Sequence, residues 1–353
     1  MSVETSPSLS PDERRAILAL SLVEDIGPVA HKQLTERFRS ASHALDAAFP
    51  DDVRRDAYRR AERHLARGEA RGMTLITQFD DRYPERLHHL DDPPPVLWSL
   101  GNWSVLREPV VAIVGTRRGT SYGRRVTQEI AGALARAGAT IISGMALGID
   151  AMAHHTALDA NAGTVAVLGT GADVPYPRAH VVLHRTIEAK GLILSEAPPG
   201  AHAGPGCFPK RNRIIAALSS VTIVIEAPEK SGALSTADRA LNIGRDVAAV
   251  PGPIDSPQSV GANRLLSRGA HVIASVEDAL HLAGLAPIVA KRPVLNSDAE
   301  ARIWTALETV AASMDDLCAR VSMPVTQCMT TVTDLELRGI VECELTGAIR
   351  RRV

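Results

Sequence analysis

The 353-residue chain lacks a strong net charge, paired cysteines and long hydrophobic runs, and each absence excludes a class of protein. Its formal net charge is −1, so any binding to nucleic acid must use a local basic patch. None of the four cysteines forms a C-x-x-C pair, which favours reduced thiols over disulfides or zinc. No apolar run reaches transmembrane length, and the N-terminus lacks a signal-peptide pattern. The sequence therefore predicts a soluble, cytoplasmic protein without membrane contact.

Hydrophobic residues make up 45% of the sequence, and the length predicts two or three domains. The N-terminal part has helical periodicity, interrupted at Gly27-Pro28 by either a plain helix connection or a helix-hairpin-helix-like turn. A proline-rich stretch after it predicts an extended linker. The predicted boundaries are a disordered segment at 1–10, a helical domain at 11–75, a linker at 76–108, a central domain at 109–283, a second linker at 284–298 and a C-terminal domain at 299–353.

Within the central domain, short β-branched runs alternate with longer helical stretches. The predicted strands lie at 110–114, 140–142, 164–168, 192–194, 221–225 and 247–250. Repeated units of an apolar strand followed by a helix indicate a parallel sheet that is covered on both faces. The predicted fold class is α/β, with a doubly wound, mostly parallel, Rossmann-like sheet flanked by an N-terminal helical bundle and a C-terminal winged helix.

Ligands of doubly wound sheets bind beyond the carboxyl ends of the strands, so the residues that follow the strands are candidate site residues. Glycines recur there, and a glycine lets the backbone approach a ligand closely. The candidates at these strand ends are Gly115, Thr116, Arg117, Arg118, Ser143, Gly144 and Gly171.

A second candidate segment begins at Phe208, where Lys210, Arg211 and Arg213 precede an apolar helical run. Cations at a helix start add to the free N–H groups and the positive dipole end, which suits phosphate. Phosphate contacts beside an aromatic ring suit single-stranded nucleic acid, although a solvated basic turn fits this segment alone equally well. We expect the cations of both segments to converge on one basic rim.

Two cofactor classes are disfavoured by the loop sequences. The turn at 115–123 has the wrong glycine spacing for a nicotinamide dinucleotide, and the second strand ends without a carboxylate for a ribose. No G-x-x-x-x-G-K-[ST] loop for nucleoside triphosphates is present. Asp150 and His154 lie one helical turn apart without an evident third metal ligand, so we expect neither a metal nor a cofactor.

A nucleotide-hydrolysing enzyme remains an open alternative. Ser231 and Gly232 stand at a helix start that could hold an anion. Glu196 and Glu226, at strand ends, could supply a carboxylate, although a structural role fits them better.

The C-terminal part, residues 299–353, has the pattern of three helices followed by a hairpin, which is typical of a winged helix. Its candidate recognition helix, 325–338, carries Arg338 against Asp334 and Glu336. Reading a DNA major groove requires the opposite charge balance, so a role in protein contact or self-association is favoured.

Several motifs occur in a fixed order through the central domain. They are Ile113-Val-Gly-Thr-Arg117, Ser143-Gly-Met-Ala-Leu-Gly-Ile-Asp150, Val165-Ala-Val-Leu-Gly-Thr-Gly171, Tyr176-Pro177, Ser195-Glu196, Phe208-Pro-Lys-Arg-Asn-Arg213, Ser231-Gly232 and Val250-Pro-Gly252. With these motifs the chain closely resembles the DNA processing protein A family (DprA, also called Smf).

The resemblance implies that single-stranded DNA binds in the pocket at the sheet ends. It also implies delivery of that strand to the RecA recombinase during natural transformation, a homodimer, and no catalytic step. By the same resemblance, Arg117 is the main phosphate clamp, Arg178 is a further basic position and Phe208 stacks on a base. Arg211 and Arg213 belong to the core of the motif, in which Asn212 braces the loop.

Overall fold

The computed structural model describes residues 9–286, 294–307, 311–343 and 347–351. The chain forms two compact units that divide at residue 287. The predicted disorder of residues 1–10 falls almost entirely outside the described residues, as does the middle of the predicted linker at 284–298. Among the helices in these segments, none combines the length and apolar character needed to cross a membrane.

The first unit begins with four helices, as the helical periodicity predicts. Ser10 and Ser40 start two of them by accepting hydrogen bonds from the backbone N–H groups of Glu13 and His43, at 3.2 and 3.1 Å. The apolar run 16–20 of the first helix is fully buried. The helices are α1 (Pro11–Ser21), α2 (Pro28–Phe38), α3 (Ala41–Ala48) and α4 (Asp51–Ala70).

A nine-stranded sheet follows. Its strands are β1 (Thr74–Thr77), β2 (Val96–Gly101), β3 (Val110–Val114), β4 (Thr140–Ser143), β5 (Thr164–Leu168), β6 (Leu192–Ser195), β7 (Val221–Val224), β8 (Asp246–Ala249) and β9 (His271–Val272). Their spatial order is β1-β2-β6-β5-β4-β3-β7-β8-β9. The seven strands from β6 to β9 in this order pair in parallel, whereas β2 pairs antiparallel with both β1 and β6.

Helices cover both faces of the sheet, which confirms the predicted doubly wound fold class. They are α5 (Ser121–Arg136), α6 (Ile149–Asp159), α7 (Val181–Lys190), α8 (Cys207–Leu218), α9 (Gly232–Asn242), α10 (Val260–Ser267) and α11 (Val276–Leu282). Strand β3 shows the two-sided burial directly, because its alternate residues belong to different cores. Val110, Ala112 and Val114 pack with α8 and α9, whereas Val111 and Ile113 pack with α5 and α6.

The segment predicted as a linker, 76–108, differs from that prediction because it supplies sheet structure. Strand β2 lies inside it and inserts between β1 and β6, with Trp98 opposite Ser195. Trp98 is only 1% exposed, so burial of this large side chain holds the strand in place. The prolines that precede Val96 suggest an extended linker, but they only lead into the strand.

The second unit has the winged-helix pattern expected from the sequence. Helices α12 (Asp298–Ala306), α13 (Met314–Val321) and α14 (Val325–Leu337) surround a core of their own. A hairpin of β10 (Val341–Cys343) and β11 (Ile349–Arg351) forms the described part of the wing. Residues 344–346 lie outside the described residues.

Candidate functional site

A groove of about 550 Å³ lies where the strand order of the sheet reverses, between β3 and β7. Such a switch point is where doubly wound sheets bind ligands, because the loops that follow the two strands diverge there. The groove is bounded by these two loops and by the first turns of α8 and α9. Its principal lining residues are Gly115, Thr116, Arg117, Arg118, Asp150, Phe208, Arg211, Asn212, Lys230, Ser231 and Gly232.

Phe208 forms one wall of the groove and is half-buried. Phe208 also lines a second cavity of about 90 Å³, together with Tyr176. The rings of Phe208 and Tyr176 are 5.0 Å apart between centroids, and the guanidinium carbon of Arg117 is 5.8 Å from the Phe208 centroid. An aromatic ring that lines two cavities therefore stands beside a cation.

The loop after β3 presents Arg117 and Arg118 to solvent while its backbone is held in place. The Thr116 N–H donates to the carbonyl of Glu226 at 2.7 Å, and the Thr120 N–H donates to the Glu226 carboxylate at 2.9 Å. Glu226 is 2% exposed, so this buried carboxylate ties the loop after β3 to the end of β7. The two arginine side chains therefore extend into the groove from a backbone that is held in place.

Beneath the groove lie two buried ionisable side chains, Arg211 and Asp150. Arg211 donates to the carbonyls of Gly144, at 2.7 Å, and of Val167. Asp150 accepts from the Gly144 and Ala146 amides at 3.2 and 3.4 Å. Burial lowers the pKa of Arg211 to about 10, so Arg211 stays charged at neutral pH. Burial also raises the pKa of Asp150, and the positive charge of Arg211 partly offsets this rise. Arg211 thus adds positive potential from below but is committed to the protein's own carbonyls.

The predicted basic cluster of α8 is divided by the geometry of the helix. Successive helical residues are rotated by about 100°, so Arg213 points almost opposite to Arg211. Arg213 is 1% exposed and forms ion pairs with Asp92 at 2.9 Å and Glu196 at 2.8 Å. Lys210 is exposed, but it lies 3.4 Å from Glu196 and lines a different cavity, on the side of the N-terminal helices. The expected convergence of the cations therefore holds for Arg117, Arg118 and Arg211 and fails for Lys210 and Arg213.

Three other predicted residues act mainly in support. The Ser143 hydroxyl is buried and donates to the Ile113 carbonyl at 2.6 Å, so it does not face the groove. A Cβ on Gly144 would overlap the Arg211 guanidinium, which makes glycine necessary at this close approach. Gly171 donates its N–H to the Ala201 carbonyl at 2.9 Å and lines neither the groove nor the cavity beside Phe208.

The remaining predicted residues lie at the two ends of the site. Ser231 caps α9 by accepting from the Ala233 N–H at 3.3 Å, and Asn212 donates to the Gly232 carbonyl at 3.1 Å. Both contacts shape the end of the groove near α9. Arg178 is exposed one residue beyond Pro177, which lines the smaller cavity.

Sequence reasoning missed two residues of the site. Lys230 is an exposed cation that lines the groove in the loop after β7, and Tyr176 lies against Phe208. A search for cations after every strand, including β7, would have listed Lys230 as a candidate, but its place in the groove depends on which strands become neighbours. Tyr176 carries no such signal, because its contact with Phe208 joins segments that are distant in sequence.

The carboxylates and histidines near the site have structural partners. Glu196 binds Arg213 and Lys210, and Glu226 binds Thr120. His154 contacts the Thr164 hydroxyl at 2.7 Å, and burial lowers the pKa of His154 to about 3, so it is neutral. In the described part of the chain, no group of three or more His, Cys, Asp or Glu side chains could hold a metal ion.

Models of protein families match all three parts of the chain. One described as DNA recombination-mediator protein A matches residues 74–284. A DprA-like N-terminal HHH domain matches residues 11–71, and a DprA winged helix domain matches residues 290–348. The first match includes β1 and β2, in agreement with their place in the sheet.

Individual relatives are similar over most of the chain. Protein Smf of Synechocystis is 39% identical over 299 residues, which cover 80% of this chain and 75% of that relative. A putative DNA processing protein DprA of Mycobacterium tuberculosis is 35% identical over 344 residues, with 92% and 87% coverage.

Two solved structures are also similar. DNA processing protein A from Streptococcus pneumoniae superposes with a TM-score of 0.69 and 32% identity, covering 78% of this chain and 98% of that one. The Helicobacter pylori protein, whose structure is described as giving insights into a single-stranded DNA binding mode, superposes with a TM-score of 0.53 and 34% identity, covering 58% and 93%. Because the first family model alone matches more than half of the sequence, the chain belongs to the DNA processing protein A (DprA/Smf) family.

Proposed function

We propose that this chain binds single-stranded DNA in the groove at the switch point of the sheet. It does so as a cytoplasmic homodimer, catalyses no reaction there, and delivers the strand to the RecA recombinase during natural transformation. The observation that carries the proposal is Phe208, an aromatic ring that lines two cavities with the Arg117 guanidinium 5.8 Å from its centroid. Base stacking on a ring and phosphate contact with a cation are the two interactions that single-stranded DNA requires.

The charge of the groove fits a polyanion. Arg117, Arg118 and Lys230 line it with exposed side chains, and Arg211 adds a buried charge below. Against these four cations, Asp150 is the carboxylate among the lining residues, and it faces Arg211. The Helicobacter pylori relative's described binding mode supports the same ligand.

Hydrolysis of nucleotides is the alternative for the same groove, and the hydrogen bonds of its carboxylates weigh against it. Glu196 and Glu226, the two carboxylates considered for that reaction, are engaged by Arg213 and Thr120. Incubation of the purified protein with nucleoside monophosphates should release no free base above the blank. Release of base that depends on either glutamate would contradict the proposal.

The direct test is an equilibrium titration of fluorescent oligonucleotides followed by anisotropy. We expect a clear preference for single-stranded over duplex DNA, and Arg117→Ala should weaken binding to all single-stranded sequences alike. The matched control is Arg239→Ala, because Arg239 is exposed in the last turn of α9, at the end away from the groove. Equal affinity for duplex, or an Arg117→Ala variant that binds as the control does, would refute the groove as the binding site.

The delivery step requires a separate measurement. RecA should form filaments faster on single-stranded DNA that carries this protein than on DNA that carries a non-cognate single-strand binder. The Arg117→Ala variant should lose this acceleration in proportion to its loss of DNA affinity. If the Arg117→Ala variant accelerated RecA filament formation as well as the wild type does, delivery to RecA would not depend on DNA binding in the groove.

A further inference from the structure

Helix α4 carries an arginine-rich face that the groove does not include. Between residues 59 and 71, positions three and four apart share one side of the helix. The members of this face, called here the α4 basic face, are Arg59, Arg60, Arg63, His64, Arg67 and Arg71, the last of which is the helix C-cap. It extends over about 18 Å, from a rise of 1.5 Å per residue, which is enough for several successive phosphates.

The charges of the α4 basic face are largely unbalanced. Within the described segments, Arg59, Arg60 and Arg63 have no acidic partner within ion-pair distance. The helix does carry carboxylates, but Glu62 and Glu69 lie about 140° or more from the centre of the face and Asp56 stands at its N-terminal end. An ordinary solvated helix alternates charges of both signs on its exposed side, which this face does not do.

The pKa of His64 reflects the positive electrostatic potential on the α4 basic face. This pKa is lowered by burial and then by the neighbouring Arg60, Arg63 and Arg67 charges. Three arginines close enough to disfavour a further positive charge form a concentrated cationic surface, and such a surface attracts a polyanion.

The α4 basic face adjoins the loops after β5 and β6, which lie at the same edge of the sheet as the groove. The Arg67 guanidinium packs directly on Gly200, where any Cβ would overlap it, and the Gly200 N–H donates to Asp173 at 2.7 Å. Arg67 and Arg71 each lie 3.8 Å from the Asp173 carboxylate. Asp173 belongs to the loop after β5, at the same edge of the sheet as the groove.

The same loop leads back to the stacking pair. A cavity of about 370 Å³ joins Arg71 and Arg185 to Pro175, the residue before Tyr176. Tyr176 contacts Phe208 in the groove, and exposed Arg178 follows two residues later. A line of cations therefore runs from the groove, past the loop at 175–178, to the α4 basic face.

We propose that single-stranded DNA leaving the groove continues across the loop at 175–178 and onto the α4 basic face, so that the N-terminal helices hold a second portion of the same strand. This inference rests on the proposed function, because it extends the path of the same ligand. The face acts through its phosphate contacts, so it adds affinity without adding sequence preference.

The test compares two oligothymidylates, a 6-mer that fits the groove and a 25-mer that can reach both surfaces. The variant is Arg59→Gln/Arg60→Gln/Arg63→Gln, since glutamine keeps a good helix propensity and these side chains make no ion pairs that would be lost. It should bind the 25-mer about tenfold more weakly. The slope of log affinity against log salt should become shallower by about 2, because each of the three lost phosphate contacts contributes about 0.7 to that slope. Its affinity for the 6-mer should be unchanged.

The matched control is Arg136→Gln/Lys190→Gln/Arg239→Gln, which removes the same charge from the last turns of α5, α7 and α9. These helices start at the groove edge, so their last turns lie at the opposite edge of the sheet. The extended path would be overturned if the two triple variants bound the 25-mer with equal affinity. It would also be overturned if the α4 variant lost affinity only for duplex DNA or only for acidic peptides. If the wild-type protein binds neither oligothymidylate, the proposed function itself fails; if Arg117→Ala leaves 6-mer binding intact, the groove fails as the site.

Discussion

At the scale of single residues, the position of Phe208 implies that its ring contributes to binding and not to folding. It is half-buried and lines two cavities, so its removal mainly enlarges space that is already open. Phe208→Ala should cost about 1–3 kcal/mol of single-strand affinity for each stacked base. Phe208→Trp should retain binding, because a larger ring still stacks. Anisotropy titrations with one oligonucleotide would decide this, and an alanine variant of full affinity would exclude Phe208 from the site.

Arg213 has the opposite role from Arg117, although both belong to motifs of the same predicted site. Arg213→Ala would leave Glu196 and Asp92 without their buried partner, which should lower the free energy of unfolding by about 3–5 kcal/mol. Arg117→Ala, at an exposed position, should change it by less than about 0.5 kcal/mol. Urea denaturation of both variants distinguishes a structural residue from a ligand contact. Equal stability of the two would contradict the buried ion pairs.

Two buried histidines should make the fold sensitive to acid. Burial lowers the pKa of His31 to about 4 and that of His154 to about 3, against 6.5 in the unfolded chain. Below about pH 6.5 only the unfolded chain gains these protons, so their stabilisation is complete above that pH and is lost as pH falls towards 4. The free energy of unfolding should drop by up to about 1.4 kcal/mol per pH unit for each histidine.

The variant that tests this pH dependence is His31→Gln, which keeps an N–H donor for the Ile17 carbonyl but cannot titrate. Its unfolding free energy, measured from pH 7 to pH 4.5, should fall less steeply than that of the wild type. An unchanged slope would show that His31 is not the neutral, buried group described here.

At the scale of secondary-structure elements, α8 shows what the sequence could and could not predict. Apolar runs such as 110–114 predict their strands well, because burial on both faces demands continuous hydrophobic residues. The basic run of α8 predicts a phosphate site only in part. Lys210, Arg211 and Arg213 are adjacent in sequence, but the helical rotation sends them to three different surroundings.

Strand β2 and Lys230 were hard to predict for a related reason. Strand β2 pairs with β1 and, almost a hundred residues later, with β6, and only the pairing with β6 joins it to the parallel part of the sheet. Lys230 lies in the groove because the loop after β7 folds beside the loop after β3. Both depend on which strands become neighbours, and strand order is a property of the whole chain.

Strand β9 forms one edge of the sheet, and both of its residues are exposed. An exposed edge strand offers unpaired backbone groups to a second copy, which fits the proposed homodimer. Val272, 54% exposed, would face the contact. Val272→Lys should shift the protein towards monomer in light scattering after size exclusion, because charge on an edge strand opposes pairing. Retention of the dimer mass would place the interface elsewhere.

At the scale of the whole molecule, the net charge of −1 makes binding depend on the local distribution of cations. Exposed Arg117, Arg118, Arg178 and Lys230 can contact about four phosphates at or near the groove. The log of affinity for a 6-mer should then fall with log salt at a slope near −3, because each phosphate contact contributes about 0.7 to the slope. Titrations between 50 and 300 mM salt, at roughly even logarithmic steps, measure this slope. Affinity that is independent of salt would rule out phosphate clamping.

The winged-helix unit carries a surface better suited to protein than to DNA. Val325 and Met329 are exposed one turn apart on α14, and Asp334 and Glu336 follow them on the same helix. Removal of residues 288–353 should therefore leave single-strand affinity within about twofold, since this surface offers phosphates little positive charge. Association with a partner protein should be lost, whereas a homodimer that pairs through β9 should be retained. Loss of single-strand binding in the shortened protein would assign the DNA contact to this unit.

The ion pair between Arg213 and Asp92 has a practical consequence for dissecting the protein. A fragment that starts at residue 109, the boundary suggested by sequence alone, would omit Asp92 together with β1 and β2. It would expose the backbone edge of β6 that β2 normally covers, and it would leave the buried Arg213 guanidinium with Glu196 but without Asp92. Such a fragment should aggregate through its uncovered edge, whereas one that begins at α1 keeps β1, β2 and the helices that share their core, and should remain dispersed.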